Sequence, residues 1–128
     1  MRAGVDTRAV ARALAPILRE RADEIEEARR LPDDLSKRFA QSGFYRMCAP
    51  EKYGGLEQAP AITMETIELI AQADGASAWV TFIGATSGTT LALLPEETAR
   101  IVFPTPETMI VGVFAPRGKA VPVNKGHQ

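Results

Sequence analysis

Apolar residues recur at spacings of three and four from Val10 through Leu14, Ile17 and Leu18 to Ile25, which lays one stripe along a helix. Asp6 or Thr7 stands before the stripe as an N-cap, predicting a helix near residues 7–29. Its other face places Arg19 with Asp23 and Glu26 with Arg30 at i,i+4 spacing, each pair worth about 0.2–0.5 kcal/mol. Pro16 removes a backbone donor within this stretch and predicts a kink. Leu31-Pro32-Asp33-Asp34 then opens a second helix, with proline suited to the first turn and the carboxylates to the positive end of the helix dipole. Gly43 stops it. With Gly43 as the left-handed residue, Phe39 and Phe44 are the pair that touch across the helix ending. Residues 45–59 follow as an irregular connection, turning at Tyr53-Gly54-Gly55.

Pro60 opens a third helix, in which Met64, Ile67, Ile70 and Ala71 are expected to face inward and Glu65, Glu68 and Gln72 outward. Asp74-Gly75 ends it and caps the next. No charged residue occurs from Gly75 to Pro95, a length sufficient to span a bilayer. The small and polar residues in it (Ser77, Thr81, Gly84, Thr86, Ser87, Gly88, Thr89, Thr90) exclude comfortable insertion. The segment is instead predicted to be a helix buried on most sides, with Gly84 and Gly88 admitting close backbone approach. Pro95-Glu96-Glu97 begins a short helix ending near Phe103. Met109 to Ala115 has the pattern of a strand, and a turn at Pro116-Arg117-Gly118 with a second strand at Ala120 to Val123 would complete a hairpin.

The chain has 128 residues, 15 basic and 16 acidic, with 45% hydrophobic residues, the composition of a folded domain. Eleven of the 15 basic and ten of the 16 acidic residues precede Ala59, so the later half has more to bury. The balanced charge excludes a nucleic-acid module that works through a basic field. A helix-turn-helix reading of Leu35 to Phe44 fails for the same reason, since Asp33, Asp34 and Glu51 offset Lys37, Arg38, Arg46 and Lys52. One cysteine and one histidine provide neither an internal disulfide nor a metal site. Cys48 reads as a half-buried thiol, His127 as a surface residue, and the compartment as reducing and cytoplasmic. Gly54-Gly55 is a turn and not a phosphate cradle, because no strand precedes it and no helix opens on it.

Three segments carry a family resemblance: LPDDLSKRFAQSGFYRMCAPEKYGG at Leu31 to Gly55, ADGASAW at Ala73 to Trp79 and LLPEE at Leu93 to Glu97. Together they resemble the N-terminal part of acyl-CoA dehydrogenase-like flavoenzymes. The ending VGVFAPRGKAVPVNKG, Val111 to Gly126, is more similar to the flavin-dependent hydroxylase branch, since the Thr-Glu-Pro and Gly-Ser-Asp segments usual in dehydrogenases are absent. The resemblance implies a mainly α fold: an N-terminal helical domain over residues 1–106, followed at 107–128 by the first strands of a middle β domain. It implies a homotetrameric family whose flavin, FAD or FMN, lies mainly against domains beyond this chain. Little or no flavin binding, and no catalysis, is expected of these residues alone.

The function so implied is the N-terminal part of a two-component flavin monooxygenase. A partner reductase supplies reduced flavin, and a small aromatic or polycyclic substrate is hydroxylated. The alternatives are an acyl-CoA dehydrogenase, oxidising a CoA thioester at a CH–CH bond, and a stand-alone helical interaction module. Neither nucleic acid nor membrane is an expected partner. Aromatic hydroxylases of this branch present a histidine toward substrate from the helix after the tryptophan motif. Here that place is Ser87, which lacks a base titrating near neutrality. Ile83, Thr90 and Leu91 share its face by helical spacing, and with Trp79 they are the candidate lining of a substrate cavity. Trp79 itself is first expected to be packed between helices, and the small residues around Ser87 serve helix packing equally well. No residue of this chain is assigned as catalytic or metal-binding.

Overall fold

The computed structural model describes residues 4–105, 107–113, 115 and 117–127, with the side chain of His127 excepted. Six helices form its body: α1 (Thr7–Glu20), α2 (Ala22–Ala28), α3 (Asp33–Gln41), α4 (Pro60–Ala71), α5 (Gly75–Ser87) and α6 (Glu96–Val102). Single 3₁₀ turns at Phe44–Arg46 and Glu51–Tyr53 shape the long connection between α3 and α4. Asp6 caps α1, its carboxylate accepting from the backbone N–H of Arg8 and Ala9 at 3.1 and 3.3 Å.

The single helix expected over residues 7–29 is two. α1 runs through Pro16, which is exposed, so water can take up the carbonyl that proline leaves unpaired. The interruption falls at Arg21, with φ −103° and ψ 13°. There the guanidinium reaches Glu24 at 2.7 and 2.8 Å and Asp34 at 3.1 Å, tying α2 to the start of α3. This break and the left-handed Arg29, φ 52°, shift the helical phase. Among the described residues the expected pairs Arg19–Asp23 and Glu26–Arg30 therefore do not form, and Arg30 lies 3.7 Å from Asp33 instead.

α4 packs between α1 and α5, and that sandwich changes which of its residues face inward. Ile67 and Ile70 are buried as expected, but Met64 is 53% exposed and Ala71 is exposed, while Thr63 and Thr66 are buried. The two threonines are tolerated because each is bonded. Thr66 donates to the Ile62 carbonyl at 2.8 Å and lies 2.9 Å from the Thr7 hydroxyl, which also accepts from Gln58 Nε2 at 2.8 Å. The thiol of Cys48, half-buried as expected, lies 3.7 Å from the Thr63 hydroxyl.

Gly43 ends α3 at φ +82°, a region costly for a residue with a Cβ, and its N–H bonds the Ala40 carbonyl at 3.0 Å. Phe39 and Phe44 meet edge-to-face across that ending at 5.2 Å. They sit in a core with Leu14, Leu18, Leu35 and Ile70. A second, smaller cluster gathers Ala49, Tyr53, Leu91, Ala99 and Phe103.

Beyond α6 the chain opens out. Residues 109–113 form no ladder, so the strand expected over Met109 to Ala115 is corrected to an extended segment, its residue 114 lying outside the described residues. A strand without a partner leaves its backbone groups to water. Met109 and Ile110 rest half-buried on the two clusters. The N–H of Arg117 bonds the Ala115 carbonyl at 2.8 Å, although Pro116, at the centre of the expected turn, lies outside the described residues. The hairpin that forms is later and shorter than expected: β1 (Pro122–Val123) pairs antiparallel with β2 (Gly126–His127). None of the described helices is long and apolar enough to cross a membrane.

Candidate functional site

The charge-free segment builds the site. Asp74 caps α5, accepting from the Ser77 N–H at 2.6 Å. With 3.6 residues per turn, Ser77, Ala78, Thr81, Gly84 and Ala85 fall on one side, and all five are buried. The fit is close at Gly84, where a Cβ would lie 2.8 Å from the Tyr45 ring and 3.1 Å from Met109 Cε. α5 is thus buried along one side, and the expectation of burial on most sides is corrected.

Trp79, Ile83 and Ser87 fall on the opposite, open face. Trp79 is 63% exposed, which overturns its expected place between helices: it stands half a turn from the buried side, and no described element covers it. Its ring leans on Phe82 at a centroid distance of 5.8 Å. Ile83 and Ser87 are half-buried. Beside Trp79 a cavity of about 350 Å³ opens over Ile25, Leu31 and Val80, with Arg29 and Arg30 among its lining residues. Sequence spacing does not signal this groove, because Ile25 and Leu31 reach it through tertiary packing.

At Gly88 the α-helix tightens into a 3₁₀ helix, Gly88–Leu93, whose three-residue period sorts side chains into rows. Gly88 and Leu91 turn inward toward Ala49. Thr89 and Ala92 line an open cavity of about 770 Å³ with Cys48, Pro50, Glu51, Lys52 and Glu57. Ser87, Thr90 and Leu93 form the third row, with Thr90 and Leu93 exposed. The structure therefore brings Trp79, Ile83, Ser87 and Thr90 to the open side and takes Leu91, 0% exposed, into the core. Leu91 is four residues from Ser87 but also three from Gly88 and seven from Gly84, both buried, and packing takes it to their side.

The charged groups beside the open face are Glu26, Arg29 and Arg30 at the Trp79 groove; α5 itself contributes no ionisable side chain to that face. Behind it Tyr45 is buried, and burial pushes its phenol above the ordinary range against a smaller opposing effect of the Ser36 hydroxyl. Among the described residues no group of three His, Cys, Asp or Glu side chains could hold a metal. For a flavin, the exposed indole with Phe82 and Ile83 fits contact with a flat ring. No charged or glycine-rich element of the described α5 face fits its phosphate, so the fit is to a wall and not to a complete holding site.

A helical module with one uncharged, aromatic-bearing open face is the class that this geometry defines. Residues 7–101 match the acyl-CoA dehydrogenase N-terminal domain family, and the chain belongs to that family. It is 35% identical over 116 residues to the oxygenase subunit HsaA of a flavin-dependent monooxygenase from Rhodococcus jostii (strain RHA1), covering 90% of this chain and 30% of that protein. It is 38% identical over 105 residues to indole-3-acetate monooxygenase from Pseudomonas putida, covering 80% of this chain and 27% of the relative. The crystal structure of 3-HSA hydroxylase from Rhodococcus sp. RHA1 superposes with a TM-score of 0.87 at 34% identity, over 95% of this chain and 32% of that one. The chain thus spans about a third of the relatives it matches.

Proposed function

We propose that this chain is the N-terminal wall of a two-component flavin-dependent monooxygenase, with the open face of α5 bounding the cavity where an organic substrate meets flavin. The observation that carries the reading is the exposed Trp79, set with Ile83 and Ser87 on a face with no charge. A large indole left in water is costly for a finished surface, and an uncharged wall suits a site that must exclude water from a reactive centre. Two relatives are a flavin-dependent monooxygenase and an indole-3-acetate monooxygenase, which favours hydroxylation over the dehydrogenation of an acyl-CoA.

In this reading Trp79 and Ile83 give the substrate and the flavin ring an apolar surface, and Ser87 and Thr90 offer the polar contacts. Reduced flavin, delivered by a partner reductase, supplies the electrons that activate dioxygen. The chain's own residues orient and dehydrate; with serine at position 87, they supply no general base. FAD or FMN would be held chiefly by parts of the protein beyond these residues, in a homotetramer like that of the family.

The test is a chimera in which residues 7–101 replace the matching segment of the Rhodococcus jostii oxygenase subunit. Supplied with reduced flavin and oxygen, the chimera is expected to form a hydroxylated product. A folded chimera that instead oxidises acyl-CoA thioesters with an artificial electron acceptor would overturn the reading.

A further inference from the structure

The hydroxyl groups of this wall are not equivalent, and their hydrogen bonds say what they can recognise. Thr86 donates to the Phe82 carbonyl at 2.7 Å, Thr89 to the Thr86 carbonyl at 2.8 Å and Thr90 to the Ser87 carbonyl at 2.7 Å. A hydroxyl has a single proton, so each of these threonines is spent as a donor and presents only lone pairs outward. Among the described residues no group takes the proton of Ser87. The open row from Ser87 to Thr90 therefore offers one donor beside an acceptor, with no cation on the segment from Gly75 to Pro95.

We infer that this wall binds the neutral, protonated form of a hydroxylated aromatic and discriminates against its anion; the inference rests on the substrate-wall reading above. A neutral phenol donates its proton to Thr90 and accepts from Ser87, satisfying both. A phenolate can only accept. It would set its charge against the Thr90 lone pairs on a row that carries no counter-charge of its own, where an uncompensated ion is disfavoured.

The surrounding titratable groups leave the Ser87–Thr90 row without a counter-charge. Glu26, Arg29 and Arg30 line the groove beside Trp79 and Val80, but Trp79 lies eight residues, about 12 Å of helix, before Ser87, and that groove's lining does not include Ser87 or Thr90. On the elements packed against α5 the others are Glu65 and Glu68 of α4, and Tyr45 and Arg46 of the preceding 3₁₀ turn. Glu65 is paired with Arg8 and Arg12, Glu68 is exposed, Tyr45 lies against Gly84 on the buried side, and Arg46 donates to the Gly54 carbonyl at 3.1 Å. Cys48, Glu51, Lys52 and Glu57 line the cavity of the neighbouring Thr89–Ala92 row.

The experiment is an amide-resolved NMR titration of the chain with 4-nitrophenol, at a pH well below the probe's pKa and at one well above it. 4-Nitroanisole, which cannot ionise or donate, is titrated at both. Shifts are expected at Trp79, Ile83, Ser87 and Thr90 with the neutral phenol, at least about tenfold weaker binding of the phenolate, and binding of the anisole about threefold to tenfold weaker than the phenol and equal at the two pH values. Thr90→Val should weaken the neutral phenol by about threefold to tenfold, and Ser87→Ala should do the same. Shifts on this face with equal or tighter binding of the phenolate would overturn the inference while leaving the wall reading standing. Shifts confined to other surfaces, or none, would overturn both.

Discussion

A Cβ on Gly55 would lie 1.9 Å from the carbonyl oxygen of Ala49, a backbone atom with nowhere to move, whereas at Gly43 the nearest atom is a flexible Leu56 methyl at 3.1 Å and the obstacle is φ +82°. Gly55→Ala should therefore cost about 3 kcal/mol or more, and Gly43→Ala about 1–2 kcal/mol. Urea unfolding checks the order, and equal losses would contradict the packing described around Ala49. The inward turn of Leu91 is tested in the same way. Leu91→Ala removes a fully buried side chain and should cost about 2–5 kcal/mol, while Thr90→Val, exposed, should stay within about 0.5 kcal/mol of the parent. A mild loss at Leu91 would contradict its place in the cluster with Ala49, Tyr53, Ala99 and Phe103. Spacing of three and four residues groups Ile83, Ser87 and Thr90, and the structure leaves these three on the same side of the helix. The same spacing misplaced Leu91 because that residue is four from Ser87 and also seven from the buried Gly84, so spacing alone leaves it between two faces. Trp79 was misjudged for a different reason: the tendency of tryptophan to be buried presumes that a covering element is present.

Ion pairs set the junction of α1, α2 and α3. The Arg21 guanidinium beside Glu24 and Asp34 holds both carboxyls below their ordinary values, chiefly by donating hydrogen bonds to them. A carboxyl with a depressed folded pKa stabilises the fold above its unfolded pKa, and that contribution is lost as pH falls through the folded value. The thermal midpoint should accordingly fall on acidification through the carboxylate range, and Arg21→Gln should flatten that dependence. An unchanged acid profile in Arg21→Gln would contradict the role given to this junction. The caps of α1 and α5, the proline starts of α3 and α4 and the glycine stop of α3 were all legible in the sequence, because each is a local chemical event. The break at Arg21 and the inward turn of Thr63 and Thr66 were not, since both depend on partners far away in the chain: Asp34 in one case, Thr7 and the facing helices in the other. The strand expected over 109–115 failed likewise, because strand propensity is realised only where another strand supplies the ladder.

The whole molecule exposes 8664 Å², against about 6,600 Å² for a compact chain of this mass. Among the described residues, large apolar side chains are left uncovered, including Trp79, Leu93, Ile101, Val111 and Val113. This distribution matches a module that spans about 30% of the relatives it resembles, and it places the uncovered tryptophan on α5, the one α-helix among the described residues that carries no charge. The family was legible from three motif segments, while the chemistry of the wall depended on hydrogen bonds that only the structure supplies. The most direct measurement of the central claim is the fraction of consumed oxygen that ends in hydroxylated product, in the chimera with residues 7–101 grafted into the Rhodococcus jostii oxygenase. Trp79→Ala and Ile83→Ala, on the open face, should lower that fraction by about tenfold or more, the loss expected when a wall that positions substrate is removed. Met64→Ala, on an exposed face of α4, should leave it unchanged. Equal coupling in all three variants, each still folded and binding flavin, would contradict the assignment of this face as a wall of the cavity.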